Sequence, residues 1–249
     1  MKIDFPTSNQ IPELKKLWQT CFGDETAFVE GFFSTVFSPR RCRCVTVDGR
    51  LAAALYWFDC RWQENLCAYL YAIATDPAFR GQGLCTALMA DTHGYLAKKG
   101  YAGTVLVPGN KQLFSFYEKQ GYRPFGGKAQ LSCAPETPVA LRPVTAEEYA
   151  AARRKYLPAD GVIQEGENLT FLQTQAELYV GEDFVLAATK DGDCLRGIEL
   201  LGNLNAAGGI VSALGAKLGI FSVPGEKPFA MCRSLRDPFS PAYFGLAFD

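Results

Sequence analysis

The chain is poorest in the residues that bind metals and nucleic acids. Its 249 residues include one histidine, His93, and none of its nine cysteines are spaced as Cys-x-x-Cys. A zinc site or an iron–sulfur cluster needs a denser ligand set, so no bound metal is expected. Positive charge is not in surplus either, since 25 Lys and Arg stand against 26 Asp and Glu, a formal net charge of −1. Without excess cations there is little to attract a nucleic-acid backbone or an anionic membrane, and a small molecule or a peptide is the better partner. The opening Met1-Lys2-Ile3-Asp4-Phe5-Pro6 has no long apolar run, so neither a leader peptide nor a membrane span is expected. The scattered cysteines, with Cys42 and Cys44 alternating on a strand, read as buried, reduced thiols, and these features together predict a cytoplasmic protein.

What is there suits an ordinary soluble protein of one large or two small domains, 48% hydrophobic and 20% charged. Apolar residues at Leu14, Leu17, Trp18 and Cys21 predict a helix over 12–22, stopped by Gly23, and Phe28, Phe32 and Val36 predict a second over 26–37, ended by Ser38-Pro39. Strand-like runs at 43–47, 51–62 and 66–75 suggest an antiparallel meander turning at Asp48-Gly49. A helix over 84–99 closed by Gly100, a short strand at 104–107, a helix over 111–120 closed by Gly121 and a strand from Tyr122 complete the pattern.

A Pro-rich stretch at 134–143 precedes a helical segment over 146–156 and divides the chain into 1–134 and 135–249. Val107-Pro108-Gly109-Asn110-Lys111 is echoed by Val223-Pro224-Gly225-Glu226-Lys227, each after an Ala- and Gly-containing helix and a short strand, which suggests a duplicated fold. The copy is not equivalent. Where the first half has Arg80-Gly81-Gln82-Gly83, the second has Arg196-Gly197-Ile198-Glu199 inside a strand.

The strand Tyr69-Leu70-Tyr71-Ala72-Ile73-Ala74-Thr75, the turn Asp76-Pro77 and Arg80-Gly81-Gln82-Gly83-Leu84 at a helix start form an arrangement suited to a phosphate. Free N–H groups and the dipole of a first helical turn favour an anion, and glycines let the backbone come close. A tight turn with two glycines is the plainer alternative. The segment is neither a G-x-x-x-x-G-K-[ST] loop nor, lacking a third glycine, a dinucleotide fingerprint.

With these residues the chain resembles the GNAT superfamily of N-acetyltransferases. Arg80 and Gly83 match the acetyl-CoA motif, whose last small position is Cys85 here. The strand at 104–107, Asn110 after Pro108-Gly109, and Phe116-Tyr117-Glu118-Lys119-Gln120-Gly121-Tyr122 follow at the family's intervals. The resemblance covers roughly residues 1–130. It implies an α/β (α+β) fold, a mixed, mostly antiparallel sheet flanked by helices, in tandem with a second, shortened GNAT-like domain over 135–249 that lacks the glycine loop and would wall the acceptor site. It also implies acetyl-CoA as co-substrate, with Ile73, Ala74 and Thr75 pairing with the pantetheine arm and Arg80, Gly81, Gln82, Gly83, Leu84, Cys85 and Thr86 around the pyrophosphate. Asn110 would contact the cofactor or simply cap its helix.

The implied reaction moves an acetyl group directly to a primary amine of a small molecule or peptide. Tyr117 stands in the place of the family's acid, or is a packed helix tyrosine beside Leu113 and Phe116. The base does not carry over, because Tyr71 occupies the position of the family's strand glutamate; Asp59, Glu64, Glu25 and Glu30 are candidates, as is a water chain. The terminal carboxylate of Asp249 is another, through the resemblance to tandem members, although a surface strand end is the simpler reading. Tyr56, Trp57, Phe58, Trp62, Tyr69 and Tyr71 are either core or an aromatic acceptor wall. His93 reads as solvent-facing, and Arg40, Arg41 and Arg43 as a solvated loop or a contact for the adenosine phosphate of CoA. Two rival functions are a silent acyl-CoA-binding or sensing protein and an interaction scaffold without cofactor. A monomer is expected, the second half standing in for a partner subunit.

Overall fold

A computed structural model describes residues 1–236 and 238–246. The chain forms two compact units, Met1–Arg123 with Cys232–Phe239, and Pro124–Met231 with Ser240–Asp249. The division falls inside a strand, at Arg123/Pro124, and not within the Pro-rich stretch. No helix among the described residues is long and apolar enough to cross a membrane.

The first unit contains β1 (Lys2–Asp4), α1 (Ile11–Phe22), α2 (Thr26–Thr35), β2 (Cys42–Val47), β3 (Arg50–Trp62), β4 (Asn65–Thr75), α3 (Leu84–Lys98), β5 (Gly103–Leu106) and α4 (Lys111–Glu118). Its sheet runs β1-β2-β3-β4-β5, with β1 to β4 antiparallel and β5 parallel to β4. The parallel pair is joined by α3, since a parallel neighbour needs a crossover long enough to return the chain to the same end. This is the mostly antiparallel mixed sheet flanked by helices that the family resemblance implies. Alternation along β3 and β4 gives each face its helices: Tyr56 and Tyr71 meet Trp18 of α1 at 5.3 and 5.6 Å between ring centroids, while Trp57 meets Tyr95 of α3 at 6.1 Å.

The second unit contains most of β6 (Arg123–Cys133), then β7 (Leu141–Pro143), α5 (Ala146–Tyr156), α6 (Glu167–Gln173), β8 (Glu177–Gly181), β9 (Phe184–Asp191), β10 (Cys194–Gly202), α7 (Ala207–Ala213) and β11 (Leu218–Pro224). A last strand, β12 (Lys227–Ser234), crosses the division. The sheet order is β6-β11-β10-β9-β8-β7, and β10 and β11 are its parallel pair, joined by α7. A small apolar core gathers Phe184, Leu186, Leu200, Ile210, Val211 and Phe221. On the sheet face covered by α5, Glu199 of β10 is fully buried and receives Arg153 Nε at 2.6 Å and Nη2 at 2.9 Å, Tyr243 Oη at 3.1 Å and the Leu246 backbone N–H at 3.1 Å.

Candidate active site

The site is built where β4 leaves β5. The registered parallel pairing covers Cys67–Tyr69 against Gly103–Val105 and ends there, but β4 continues to Thr75 along β3. Beyond Tyr69, one edge of β4 is therefore available to an extended ligand. A β-bulge lies on this free stretch: Tyr56 faces Tyr71 and Ala54 faces Ala74, so Ala72 and Ile73 together oppose Leu55. Ala72 takes φ +46°, a left-handed conformation that costs a non-glycine residue energy and redirects the backbone polar groups on either side. Nothing in the sequence signals this strain, because alanine has no preference for it.

From Thr75 the chain enters a short turn in which Asp76 Oδ1 accepts from the Ala78 N–H at 2.8 Å. Arg80 Nε donates back to the Thr75 carbonyl at 3.2 Å, tying the loop to the end of β4. Gly81 and Gly83 have φ of +76° and +73°, which a side chain would strain, and no neighbouring atom lies within 4 Å of where a Cβ would stand. The glycines thus face open space instead of packed protein. Gly83 caps α3 with no side-chain hydrogen bond, leaving the first helical turn at Leu84, Cys85 and Thr86 without a side-chain cap. The Thr86 hydroxyl accepts from Gln120 Nε2 at 2.9 Å, which ties the end of α4 to this turn. Turn, glycines and uncapped helix suit a diphosphate.

Tyr117 of α4 is buried, with its ring centroid 5.9 Å from that of Tyr122. Burial, and then the neighbouring Cys85, push its phenol well above the ordinary value. Burial also pushes the Cys85 thiol up to about 11, so Cys85 is an inert packing group at neutral pH. Asn110 is the N-cap of α4, accepting from the Gln112 and Leu113 N–H groups at 3.0 and 3.2 Å.

Other sequence candidates are placed differently. His93 is buried, not solvent-facing: its Nε2 lies 2.8 Å from Tyr122 Oη, which is 2.8 Å from Thr104 Oγ1. The helical spacing is compatible with either face, and the Tyr122 hydroxyl decides it. Arg43 likewise does not lie in a solvated loop. It is buried on β2, donates to Asp91 of α3 and stacks 4.6 Å from the Phe5 ring centroid, whereas Arg41 reaches Asp59 at 3.7 Å.

Of the candidate bases, Asp59 accepts from Tyr101 Oη at 2.6 Å and sits opposite Ala68, toward the other end of β4 from the loop. Glu30 is paired with Lys15, Glu64 is exposed near Arg61, and Glu25 is exposed at the start of α2. Asp249 lies outside the described residues. Among the described residues no cluster of three or more His, Cys, Asp or Glu is placed to hold a metal.

The family model of the GNAT acetyltransferase domain matches residues 2–125. Solved structures extend the likeness in fold over nearly the whole chain. A GCN5-related N-acetyltransferase from Kribbella flavida aligns with TM-score 0.73 at 17% identity, covering 95% of this chain and 71% of its own. One from Anabaena variabilis gives 0.74 at 14%, covering 94% and 72%, and Eis1 from Mycobacterium abscessus 0.70 at 12%, covering 94% and 74%. No curated protein sequence matches the chain. Through residues 2–125, the chain belongs to the GNAT acetyltransferase family.

Proposed function

We propose that this protein binds acetyl-CoA along the free edge of β4 and transfers the acetyl group to a primary amine. The observation that carries the reading is the parting of β4 from β5 after Tyr69, which leads through the Ala72 bulge to the open glycine loop. In this reading the backbone of Ile73, Ala74 and Thr75 pairs with the pantetheine arm, and Arg80 to Thr86 cradle the pyrophosphate. The arm's reactive end then lies near Tyr69 and Tyr71, where β5 rejoins. The neutral amine attacks the acetyl carbon, a C–N bond forms as the C–S bond breaks, the departing sulfur takes its proton from Tyr117 Oη, and the proton shed by the new amide nitrogen passes through water to restore the phenol. With its pKa raised by burial, Tyr117 keeps that proton throughout the neutral range. Asp59 and Glu30 are engaged by Tyr101 and Lys15, and Glu64 and Glu25 are exposed, so the amine loses its proton to water before attack.

Strand order supports reading the second half, 135–249, as a GNAT-like copy. It repeats the sequence of two helices, three antiparallel strands, crossover helix and parallel strand, and β10 carries a register shift between Gly197 and Glu199 as β4 does at Ala72. The counterpart of the glycine loop, Arg196-Gly197-Ile198-Glu199, lies inside β10, and one cofactor site per chain, in a cytoplasmic monomer, is the proposal.

Calorimetric titration with acetyl-CoA tests the site. The expected result is micromolar binding, about −8 kcal/mol, and its loss in an Arg80→Ala/Gly83→Asp double variant, where a carboxylate would enter the anion cradle on a strained backbone. A folded parent that does not bind would make the loop only a turn. Tyr117→Phe is expected to leave this binding intact and to lower kcat about 100-fold, the scale of general acid catalysis. Unchanged kcat would remove Tyr117 from the chemistry.

The silent-binding alternative draws on Tyr71, which stands on β4 where a carboxylate would be expected. Release of CoA in the presence of any primary amine argues against it.

A further inference from the structure

On the α1 and α2 face of β3 and β4, Trp18, Phe32, Tyr56, Phe58, Tyr69 and Tyr71 form one nest of rings. Trp18 and Phe32 are 4.7 Å apart, Tyr56 lies 5.3 Å from each, and Phe58 lies 5.4 Å from Tyr71. Trp18 is also anchored by its Nε1, which donates to Asp24 Oδ2 at 2.7 Å. Tyr56 is different, because its Oη is buried and finds no hydrogen-bond partner among the described residues. A buried hydroxyl without a partner costs about 1–3 kcal/mol, and phenylalanine would fill the same volume without that cost. Tyr56 also stands directly across from Tyr71, the residue that precedes the strained Ala72 bulge. The orphaned hydroxyl is thus at the point where, on the reading above, the reactive end of the pantetheine arm arrives.

We propose that this nest is the acceptor subsite, and that it takes a primary amine carried on an aromatic ring, with a polar ring substituent against Tyr56 Oη. This inference rests on the acetyltransferase reading and adds the substrate class. Ring faces stack on an aromatic acceptor and tolerate one nearby ammonium through cation–π attraction. The rings themselves carry no carboxylate and Asp24, beside Trp18, is already engaged by its Nε1, so each further ammonium of a polycation would lose its water with little compensation. Entry is from the side of Phe33 and Phe37, which are half-buried and lie 6.0 and 6.2 Å from Tyr56. Because all six rings are buried, an outward shift of α2 is the motion this requires.

The test compares tyramine, phenethylamine and spermidine as acceptors, with acetyl-CoA binding measured separately by calorimetry. Tyramine is expected to exceed spermidine in kcat/KM by about tenfold or more, and Tyr56→Phe to lower the tyramine-to-phenethylamine ratio of kcat/KM by about tenfold, as loss of a hydrogen bond that the site is built to make requires. Preference for spermidine, or a ratio unmoved by Tyr56→Phe, overturns the proposal while leaving the acetyltransferase reading standing. If acetyl-CoA binds but no amine is acetylated, the enzyme reading falls. The nest is then judged by quenching of tryptophan fluorescence when tyramine is added to the CoA complex: saturable quenching weakened in Tyr56→Phe supports it, and no quenching overturns it.

Discussion

Glu199→Ala is expected to destabilise the second unit by about 3–5 kcal/mol, a large share of the 5–15 kcal/mol that holds a typical domain together. The substitution leaves the Arg153 guanidinium, itself almost fully buried, without its counter-ion. It also removes the acceptor for Tyr243 Oη and the Leu246 N–H. Burial alone would push the Glu199 carboxyl up, but Arg153, Lys128 and the Leu246 N–H together outweigh it and the net direction is down, so the glutamate is an anion in the folded state. The segment around Phe244 depends on the same centre, since its carbonyl accepts from Arg153 Nη2 at 3.3 Å and from Gln164 Nε2 at 2.8 Å. Urea unfolding should therefore show a lower midpoint for the variant, with earlier proteolytic cleavage near 240–246. Replacing both partners, as Arg153→Met/Glu199→Leu, should recover much of the loss because no charge is then left buried alone. A double variant as unstable as Glu199→Ala would show that the hydrogen bonds to the C-terminal segment, not the ion pair, carry the effect.

Acid is the second large perturbation, and it acts through the one histidine. Burial, and next the positive Arg233, lower the His93 pKa to about 3, against 6.5 for the free side chain. Between those values the unfolded chain binds the proton and the folded chain does not, so stability falls as pH drops from about 6.5 toward 3. The slope reaches about 1.4 kcal/mol per pH unit for a full proton of difference. Above pH 7 the residue is neutral in both states and contributes no pH dependence. Urea midpoints at pH 7.5, 6.0 and 5.0 for the parent and His93→Gln separate this residue from the carboxylates, most of which titrate lower. The gap between the two proteins should narrow or reverse in favour of His93→Gln on acidification, and parallel profiles would count against a buried neutral imidazole.

Much of the first unit was legible because its signals are local. Leu14, Leu17 and Trp18 at helical spacing mark α1, glycines stop the helices, and Asp48-Gly49 turns β2 into β3. The glycine loop was legible for the same reason, since left-handed backbone leaves glycine as its trace. Buried polar partners were not legible. Whether His93 faced Tyr122 or water, and whether Arg43 met Asp91 or solvent, depended on residues 29 and 48 positions away. The Ala72 bulge left no mark because its cause is the cross-strand register, and the orphaned Tyr56 hydroxyl became visible only once the rings around it were placed. In the second half, α6, β8 and β9 carry weaker periodicity, and Glu199 has the sequence context of an ordinary strand residue, since its partner Arg153 lies 46 positions away on α5.

The return of Cys232–Phe239 to the first unit governs the order in which the protein can be made. The Leu235 and Arg236 N–H groups bond the Ala102 carbonyl at 2.8 and 2.9 Å, and the Phe239 ring lies against Gly103, so this late segment completes a sheet begun more than a hundred residues earlier. A ribosome delivers it only after every strand of the second unit up to β11 has emerged. The acetyltransferase half therefore waits, during synthesis, for the half that follows it, with the edge of β5 exposed in the interval. A fragment ending near residue 134 would remain in that unfinished state, and chaperone demand should be concentrated there.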